Sequence, residues 1–281
     1  MIRRIGVRAH DFGKNTIRDI AIAISGMGFH TTQLALKKAL AGVDDFSNVL
    51  NTETADSIKA ALADKYIDIS VLGCYLNYGQ KNSESRLRNI ETFLRHIDLC
   101  ADFGARMVGT ETGSLNDDYS VHRDNHGEQA YRIFAGSVEK MVEHAEQKNV
   151  MVAIEAVSKH VINTPVRMRR IVDDIVSDNL AVIFDPVNLI TSDNYKMQDD
   201  IMKEYFDLLG DKILAVHAKD FIVKESNVSV TAPRKGELNF ELFLDLLKKT
   251  ERKADILLEN IRPYDMAQSK SVIEEIIGER N

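Results

Sequence analysis

The sequence predicts an α/β fold of one domain, a (β/α)8 TIM barrel that spans residues 1–281. Short apolar runs alternate with longer amphipathic segments along the whole chain, and the runs are continuously apolar. Continuous apolar runs indicate strands buried on both faces, as in a parallel sheet covered by helices. The length of 281 residues suits one barrel, and no proline- or glycine-rich linker divides the chain.

The predicted barrel strands share a short length and a following segment with helical periodicity. Eight such strand–helix units fill the chain, which is the number that a closed parallel barrel requires. The predicted strands are residues 5–7, 33–36, 67–72, 106–109, 150–154, 180–184, 213–216 and 255–258.

The helix starts are predicted from capping residues. Thr164 precedes Pro165, and threonine at the N-cap with proline at the first helical position is a favourable pair, because proline needs no N–H partner there. Ser83 is predicted as the N-cap of an earlier helix. The predicted amphipathic segments include residues 16–27, 53–66, 83–103, 125–148 and 266–277.

An open, doubly wound sheet is the structural alternative. That fold places a glycine-rich phosphate loop after its first strand. Here the first strand is followed by Arg-Ala-His-Asp-Phe-Gly at residues 8–13, with a single glycine. The barrel is therefore the favoured fold.

Composition and charge narrow the functional classes. The formal net charge is −7, so a nucleic-acid partner is not expected. Cys74 and Cys100 are the two cysteines, too few for a disulfide framework, and a reduced, cytoplasmic protein is expected. The longest mostly apolar stretch, residues 20–29, is too short to span a membrane, so we expect no membrane association.

Four consecutive predicted strands each end in a residue that can bind a cation. These residues are Glu155, Asp185, His217 and Glu259. Neighbouring strands lie about 4.8 Å apart, so side chains at their carboxyl ends can converge in the barrel mouth. Three buried carboxylates without a cation would be costly. The sequence therefore predicts one divalent metal ion, with Mn²⁺ favoured over Zn²⁺, Co²⁺ and Mg²⁺.

Several short motifs resemble those of the xylose isomerase-like TIM barrels. The motifs are Glu155 after an apolar strand, Asp-Pro-Val-Asn at 185–188, Val-His-Ala-Lys-Asp at 216–220, Arg-Lys-Gly-Glu-Leu-Asn-Phe at 234–240 and Leu-Glu-Asn at 258–260. This superfamily contains sugar and sugar-phosphate isomerases and epimerases, and also the apurinic endonucleases of DNA repair. The resemblance spans the whole chain.

The chain also departs from two branches of that superfamily. The endonuclease branch binds three zinc ions and needs histidines where this sequence has Asn77, Glu111 and Asn188. The ketose 3-epimerase branch carries a second glutamate and a histidine where this sequence has Ser158 and Asn188. The resemblance therefore implies a mononuclear sugar enzyme of unassigned specificity.

The resemblance implies that Glu155 and Glu259 are catalytic as well as metal-binding. They would face opposite sides of the reacting carbon, so that one removes a proton and the other returns it through an enediolate. Asp185 and His217 would act as ligands only. The expected activity is isomerisation or epimerisation of a sugar or sugar phosphate.

Further side chains are expected to contact this small carbohydrate substrate. They are His10, Asn188, Lys219 and Arg234. The polar segment 114–126 is expected to form a lid over the mouth, as its length suggests. A homo-oligomer is compatible with the sequence.

Three other functions remain open at this point. A polyol-acid dehydratase would use the same metal site but release water from its substrate. An apurinic endonuclease is disfavoured by the acidic charge and the missing histidines. A non-catalytic sugar-binding barrel is the least favoured, because it would not need two opposed carboxylates.

Overall fold

A computed structural model describes residues 2–278, and these residues form a closed eight-stranded barrel surrounded by helices. The predicted fold is confirmed. In chain order the strands are β1 (Ile2–Arg8), β2 (Thr31–Leu34), β3 (Asp68–Gly73), β4 (Met107–Glu111), β5 (Met151–Glu155), β6 (Leu180–Phe184), β7 (Ile213–Ala218), β8 (Asp220–Lys224), β9 (Asn227–Thr231) and β10 (Ala254–Leu258). Around the barrel the strands follow the order β1-β10-β7-β6-β5-β4-β3-β2, and all neighbours are parallel.

The connections between barrel strands are largely helical. The α-helices are α1 (Ile17–Gly26), α2 (Leu36–Ala39), α3 (Thr52–Ala63), α4 (Ser83–Leu99), α5 (Glu128–Lys148), α6 (Pro165–Asp174), α7 (Gln198–Leu209), α8 (Phe240–Lys249) and α9 (Pro263–Gly278). Between residues 2 and 278, no helix combines the length and apolar character needed to cross a bilayer.

Side-chain caps define where the helices start. The Thr164 side chain accepts a hydrogen bond from the Arg167 N–H, and Pro165 is the first residue of α6, so this predicted start is confirmed. The predicted cap at Ser83 is wrong by one residue. Asn82 is the N-cap of α4, and its side chain accepts from the Ser85 N–H. Asparagine is as good a cap as serine, so the sequence alone did not separate the two.

A layer of apolar side chains fills the centre of the barrel. Small and large residues from six of the strands interdigitate, which packs the barrel without leaving a pore. The layer consists of Val71, Met107, Ala153, Ala181, Ile183, Ala215 and Leu257, all fully buried. Below it, Asp255 is buried at the amino-terminal end of β10. This carboxylate accepts hydrogen bonds from the Ser70 hydroxyl at 2.6 Å and from the Arg106 guanidinium at 2.7 Å.

The antiparallel hairpin β8–β9 follows β7 and was not predicted. The carboxylate of Asp220 holds the segment that follows β9. It accepts hydrogen bonds from three backbone N–H groups, those of Phe221, Gly236 and Leu238. At Gly236 an added Cβ would lie 2.2 Å from the Phe221 carbonyl oxygen, so only glycine fits. This close approach explains the glycine of the 234–240 motif.

Candidate metal and active site

The four predicted metal ligands meet at the carboxyl-terminal mouth of the barrel. Glu155 ends β5, Asp185 follows β6, His217 lies in β7, and Glu259 follows β10. One donor atom from each lies within 4.8 Å of the other three, and all four side chains are buried. We call these residues the metal cluster. The strand order explains the convergence, because β5, β6, β7 and β10 are consecutive around the barrel.

His217 presents one ring nitrogen to the three carboxylates. Its Nδ1 atom lies 2.7 Å from Glu259 Oε2, 3.1 Å from Glu155 Oε1 and 3.7 Å from Asp185 Oδ2. Burial opposes a charge on this imidazole, but the adjacent carboxylates outweigh burial and raise the His217 pKa well above its usual value. A proton on Nδ1 and a divalent cation would occupy the same place.

Gln33 holds the other nitrogen of this imidazole. His217 Nε2 lies 2.8 Å from Gln33 Oε1, and the Gln33 amide donates to the Tyr75 hydroxyl at 2.6 Å. Because a carbonyl oxygen only accepts, Nε2 must carry a hydrogen, and the lone pair of neutral His217 is at Nδ1. Gln33 ends up beside His217 through barrel closure, and sequence reasoning did not find it.

The donor set fits one divalent ion. One imidazole nitrogen and three carboxylate oxygens suit a hard or borderline cation, and four protein ligands leave positions for substrate oxygens. The structure therefore supports the predicted ligand chemistry, while the identity of the metal stays a prediction.

Lys219 and Asn188 lie against the metal cluster. The Lys219 ammonium is buried and lies 2.7 Å from Asp185 Oδ2, 2.9 Å from Glu259 Oε1 and 2.8 Å from Asn188 Oδ1. The Asn188 amide in turn donates to Glu155 Oε1 at 2.7 Å. Burial opposes the charge on Lys219, yet the carboxylates raise its pKa. Both residues were predicted to bind substrate, which stays a prediction, and the structure shows them bonded to three of the four candidate ligands.

The first strand contributes a second cation. Arg8 contacts Glu259 Oε1 at 2.9 Å and Asp11 Oδ1 at 2.7 Å. His10 lies just beyond, and its Nδ1 is buried without a hydrogen-bond partner among residues 2–278. Burial, aided by the positive charges of Arg8 and Lys38, lowers the His10 pKa to about 3. The imidazole is therefore neutral at ordinary pH, and its role in binding substrate stays a prediction.

The structure does not bring Arg234 to the metal cluster. It lies after the hairpin with a positive φ of 66°, and its exposed guanidinium pairs with Glu241 at the start of α8. Its predicted interaction with an anionic substrate group stays untested. Beside the hairpin, Asn188 lines a cavity of about 400 Å³ that extends between the β5–α6 loop and the Ser226–Asn227 turn.

Three polar residues on the β4 side of the mouth were not predicted as site residues. Glu111 ends β4, and its side chain is 29% exposed. Burial, with a smaller contribution from the Glu155 charge, raises the pKa of Glu111 to about 7. His160 Nδ1 lies 3.6 Å from Glu111 Oε2, and burial lowers the His160 pKa to about 4. The Tyr119 ring packs edge-on against the His160 ring at a centroid distance of 5.1 Å.

The fold and this cluster define a class: parallel (β/α)8 barrels with an acidic, histidine-containing ligand set at the carboxyl ends of the strands. The sequence profile of the family described as xylose isomerase-like TIM barrel matches residues 22–276, and the chain belongs to this family. A comparison with curated protein sequences gives no match.

Solved structures share the whole barrel. A D-tagatose 3-epimerase-like protein is 18% identical with a TM-score of 0.76, over 98% of this chain and 97% of that chain. D-psicose 3-epimerase, solved in the presence of D-fructose, is 14% identical with a TM-score of 0.74, over 98% and 100%. The IolI protein with a bound zinc atom is 14% identical with a TM-score of 0.75, over 99% and 97%. At these identities the likeness shows the fold.

Proposed function

We propose that this protein is a divalent-metal-dependent isomerase or epimerase of a sugar or sugar phosphate, acting by proton transfer. One observation carries the proposal: Glu155 and Glu259, from strands that are not neighbours, both contact the same atom of His217. Two carboxylates that approach one point from different strands can reach opposite sides of a bound carbon. The names of the solved neighbours, among them a 3-epimerase and a 3-epimerase-like protein, support the same class of activity.

Glu259 has one oxygen held by cations and the other at the shared point, whereas Glu155 makes both contacts through the same oxygen. Glu259 Oε1 is held by Lys219 and Arg8, while its Oε2 faces His217 Nδ1. Glu155 Oε1 faces Nδ1 and accepts from the Asn188 amide. A bound divalent ion would polarise the substrate carbonyl and stabilise negative charge on its oxygens. Glu155 and Glu259 would then remove and return the proton on the neighbouring carbon.

The test follows the substrate hydrogen. With Mn²⁺ in D₂O, the protein should introduce deuterium next to the carbonyl of at least one member of a panel of ketoses and ketose phosphates, as seen by NMR. Glu155→Gln and Glu259→Gln should each abolish the exchange, since an amide cannot carry the proton. Both variants should keep more metal affinity than Asp185→Ala, because an amide oxygen can still bind the ion. Glu139→Gln, at an exposed position on α5, is the matched control.

Two outcomes would reject this proposal. Conversion with complete retention of the substrate hydrogen would exclude proton exchange through Glu155 or Glu259. Loss of water from a polyol acid, without exchange in any ketose, would favour the dehydratase alternative on the same ligands. Cleavage of abasic DNA is the outcome expected of an endonuclease, and the acidic chain is not expected to show it.

A further inference from the structure

A second group of polar side chains lies one strand away from the metal cluster. Glu111 and Glu155 are paired in the parallel register of β4 and β5. Residues paired in this way project to the same face of the sheet, about 4.8 Å apart. Since Glu155 projects into the mouth, Glu111 projects into it as well.

Two polar atoms beside Glu111 have no protein partner. Tyr119 Oη and His160 Nδ1 are buried without a hydrogen-bond partner among residues 2–278. His160 is nine-tenths buried, and its Nδ1 is 3.6 Å from Glu111 Oε2, beyond hydrogen-bond distance. Leaving two buried polar atoms unpaired costs about 1–3 kcal/mol each, so a ligand that pairs with them gains affinity.

The segment that carries Tyr119 is firmly anchored. The Asn125 side chain accepts from the Leu115 N–H at 2.9 Å and donates to the Lys159 carbonyl at 2.9 Å. The Asn77 side-chain oxygen Oδ1 accepts from the Ser114 N–H at 3.0 Å. These buried bonds tie the segment to the β3–α4 and β5–α6 loops. Tyr119 is therefore held against His160 before any ligand binds.

We propose that Glu111, Tyr119 and His160 form a hydroxyl-binding subsite for the end of the substrate that lies away from the metal cluster. A sugar hydroxyl can donate to the Glu111 carboxylate and accept from the Tyr119 hydroxyl or the His160 ring. A phosphate at this place would face the Glu111 carboxylate, which forms no ion pair with a lysine or arginine among residues 2–278. The inference rests on the proposed function in one respect, that the substrate is a sugar.

The subsite should make affinity depend on the number of carbons in the ketose. Isothermal titration of the Mn²⁺-loaded protein would compare dihydroxyacetone, erythrulose, the ketopentoses and the ketohexoses. At least one five- or six-carbon ketose should bind about tenfold or more tightly than dihydroxyacetone, through two further hydrogen bonds. Tyr119→Phe should weaken binding of that ketose about fivefold and change dihydroxyacetone binding less than about twofold. Tyr66→Phe, at a position 84% exposed, is the matched control.

Three results would overturn the subsite. The first is an equal loss of affinity for short and long ketoses in Tyr119→Phe, and the second is no gain in affinity with chain length in the wild type. The third is a ketohexose 6-phosphate that binds more tightly than the free sugar in the wild type but not in Tyr119→Phe. Isothermal titration measures binding without turnover. The proposed proton-transfer chemistry and the proposed subsite can therefore be rejected independently of each other. Chain-length dependence without deuterium exchange would reject the chemistry alone, and exchange with an unaffected Tyr119→Phe would reject the subsite alone.

Discussion

The Nε2 atom of His217 lies 2.8 Å from Oε1 of Gln33, a residue 184 positions earlier in the sequence. β2, which carries Gln33, and β7, which carries His217, are not neighbours in the barrel, so the bond crosses the mouth. Through this bond Gln33 fixes both the ring orientation and the hydrogen on Nε2. The nitrogen that faces Glu155, Asp185 and Glu259 is then the one free to bind an ion.

We expect Gln33→Leu to weaken Mn²⁺ binding about 10- to 100-fold, because the His217 ring would lose its orienting partner. Isothermal titration measures the affinity, and circular dichroism checks that the fold is kept. Gln147→Leu, on the exposed face of α5, should bind Mn²⁺ as the wild type does. Unchanged affinity in Gln33→Leu would show that the ring is held by packing alone.

We expect one divalent ion per chain, and a stability that depends on it. Mn²⁺ at 100 times its dissociation constant should stabilise the fold by about 2.7 kcal/mol, seen as a rise in Tm. His217→Ala should weaken the binding at least tenfold, about 1.4 kcal/mol, and reduce the rise accordingly. Three tightly held zinc ions per chain, measured by elemental analysis, would contradict the mononuclear site.

A buried histidine far from the metal cluster predicts loss of stability in acid. Burial lowers the His96 pKa from 6.5 to about 4, although its Nδ1–H donates to the Thr92 carbonyl at 2.7 Å. Protonation therefore favours the unfolded chain, and stability is lost as pH falls from 6.5 towards 4. The loss from this residue is up to about 3 kcal/mol.

Urea unfolding in EDTA between pH 7 and 4 measures this loss. In His96→Phe the fall in unfolding free energy should be smaller than in the wild type by about that amount. His30→Phe, at an exposed position, should follow the wild-type profile. Parallel profiles for His96→Phe and the wild type would mean that His96 takes up its proton equally in both states.

The ion pairs at the amino-terminal end of the barrel predict a strong effect on stability. Asp255 is fully buried and contacts Arg106 at 2.7 Å and Arg4 at 3.5 Å. Asp255→Ala leaves both cations, which are 30% and 28% exposed, without this partner and should destabilise the fold by about 1–3 kcal/mol in urea unfolding. Asp173→Ala, which removes an exposed pair with Arg169 on α6, should cost less than about 1 kcal/mol. Arg4 also pairs with Asp68, so a small effect at Asp255 would mean that Asp68 and solvent satisfy the two cations.

Sequence reasoning located the strands and brought forward four candidate ligands that the structure places together, because both are local patterns. A residue that follows an apolar run in the sequence, such as Glu155 or Asp185, lies at the carboxyl end of the corresponding strand. The order of the strands around the barrel follows their order in the chain. The hairpin β8–β9 was not predicted, because the strand–helix alternation that predicts the barrel gives no signal for an antiparallel pair inserted after β7.

Interactions between distant residues could not be predicted in the same way. Nothing near Gln33 in the sequence points to His217, and their hydrogen bond depends on the closure of the barrel. The contacts of Lys219 with Asp185 and Glu259 likewise depend on the closed barrel, and its expected contact with substrate stays a prediction. In the sequence, Glu111 was noted only because the endonuclease branch has a histidine at that position. Its pairing with Glu155 depends on the register of β4 against β5.

Strand β10 joins two ends of the molecule with different chemistry. Asp255 ties Arg4 and Arg106 at one end, Glu259 belongs to the metal cluster at the other, and Leu257 of the apolar layer lies between them. That layer separates the Asp255 ion pairs from the metal cluster. Substitutions at one end of the barrel should therefore leave the side chains at the other end largely undisturbed. Libraries that vary exposed residues at the mouth, such as Ser226 and Asn227, should therefore leave the Asp255 ion pairs and their contribution to stability in place.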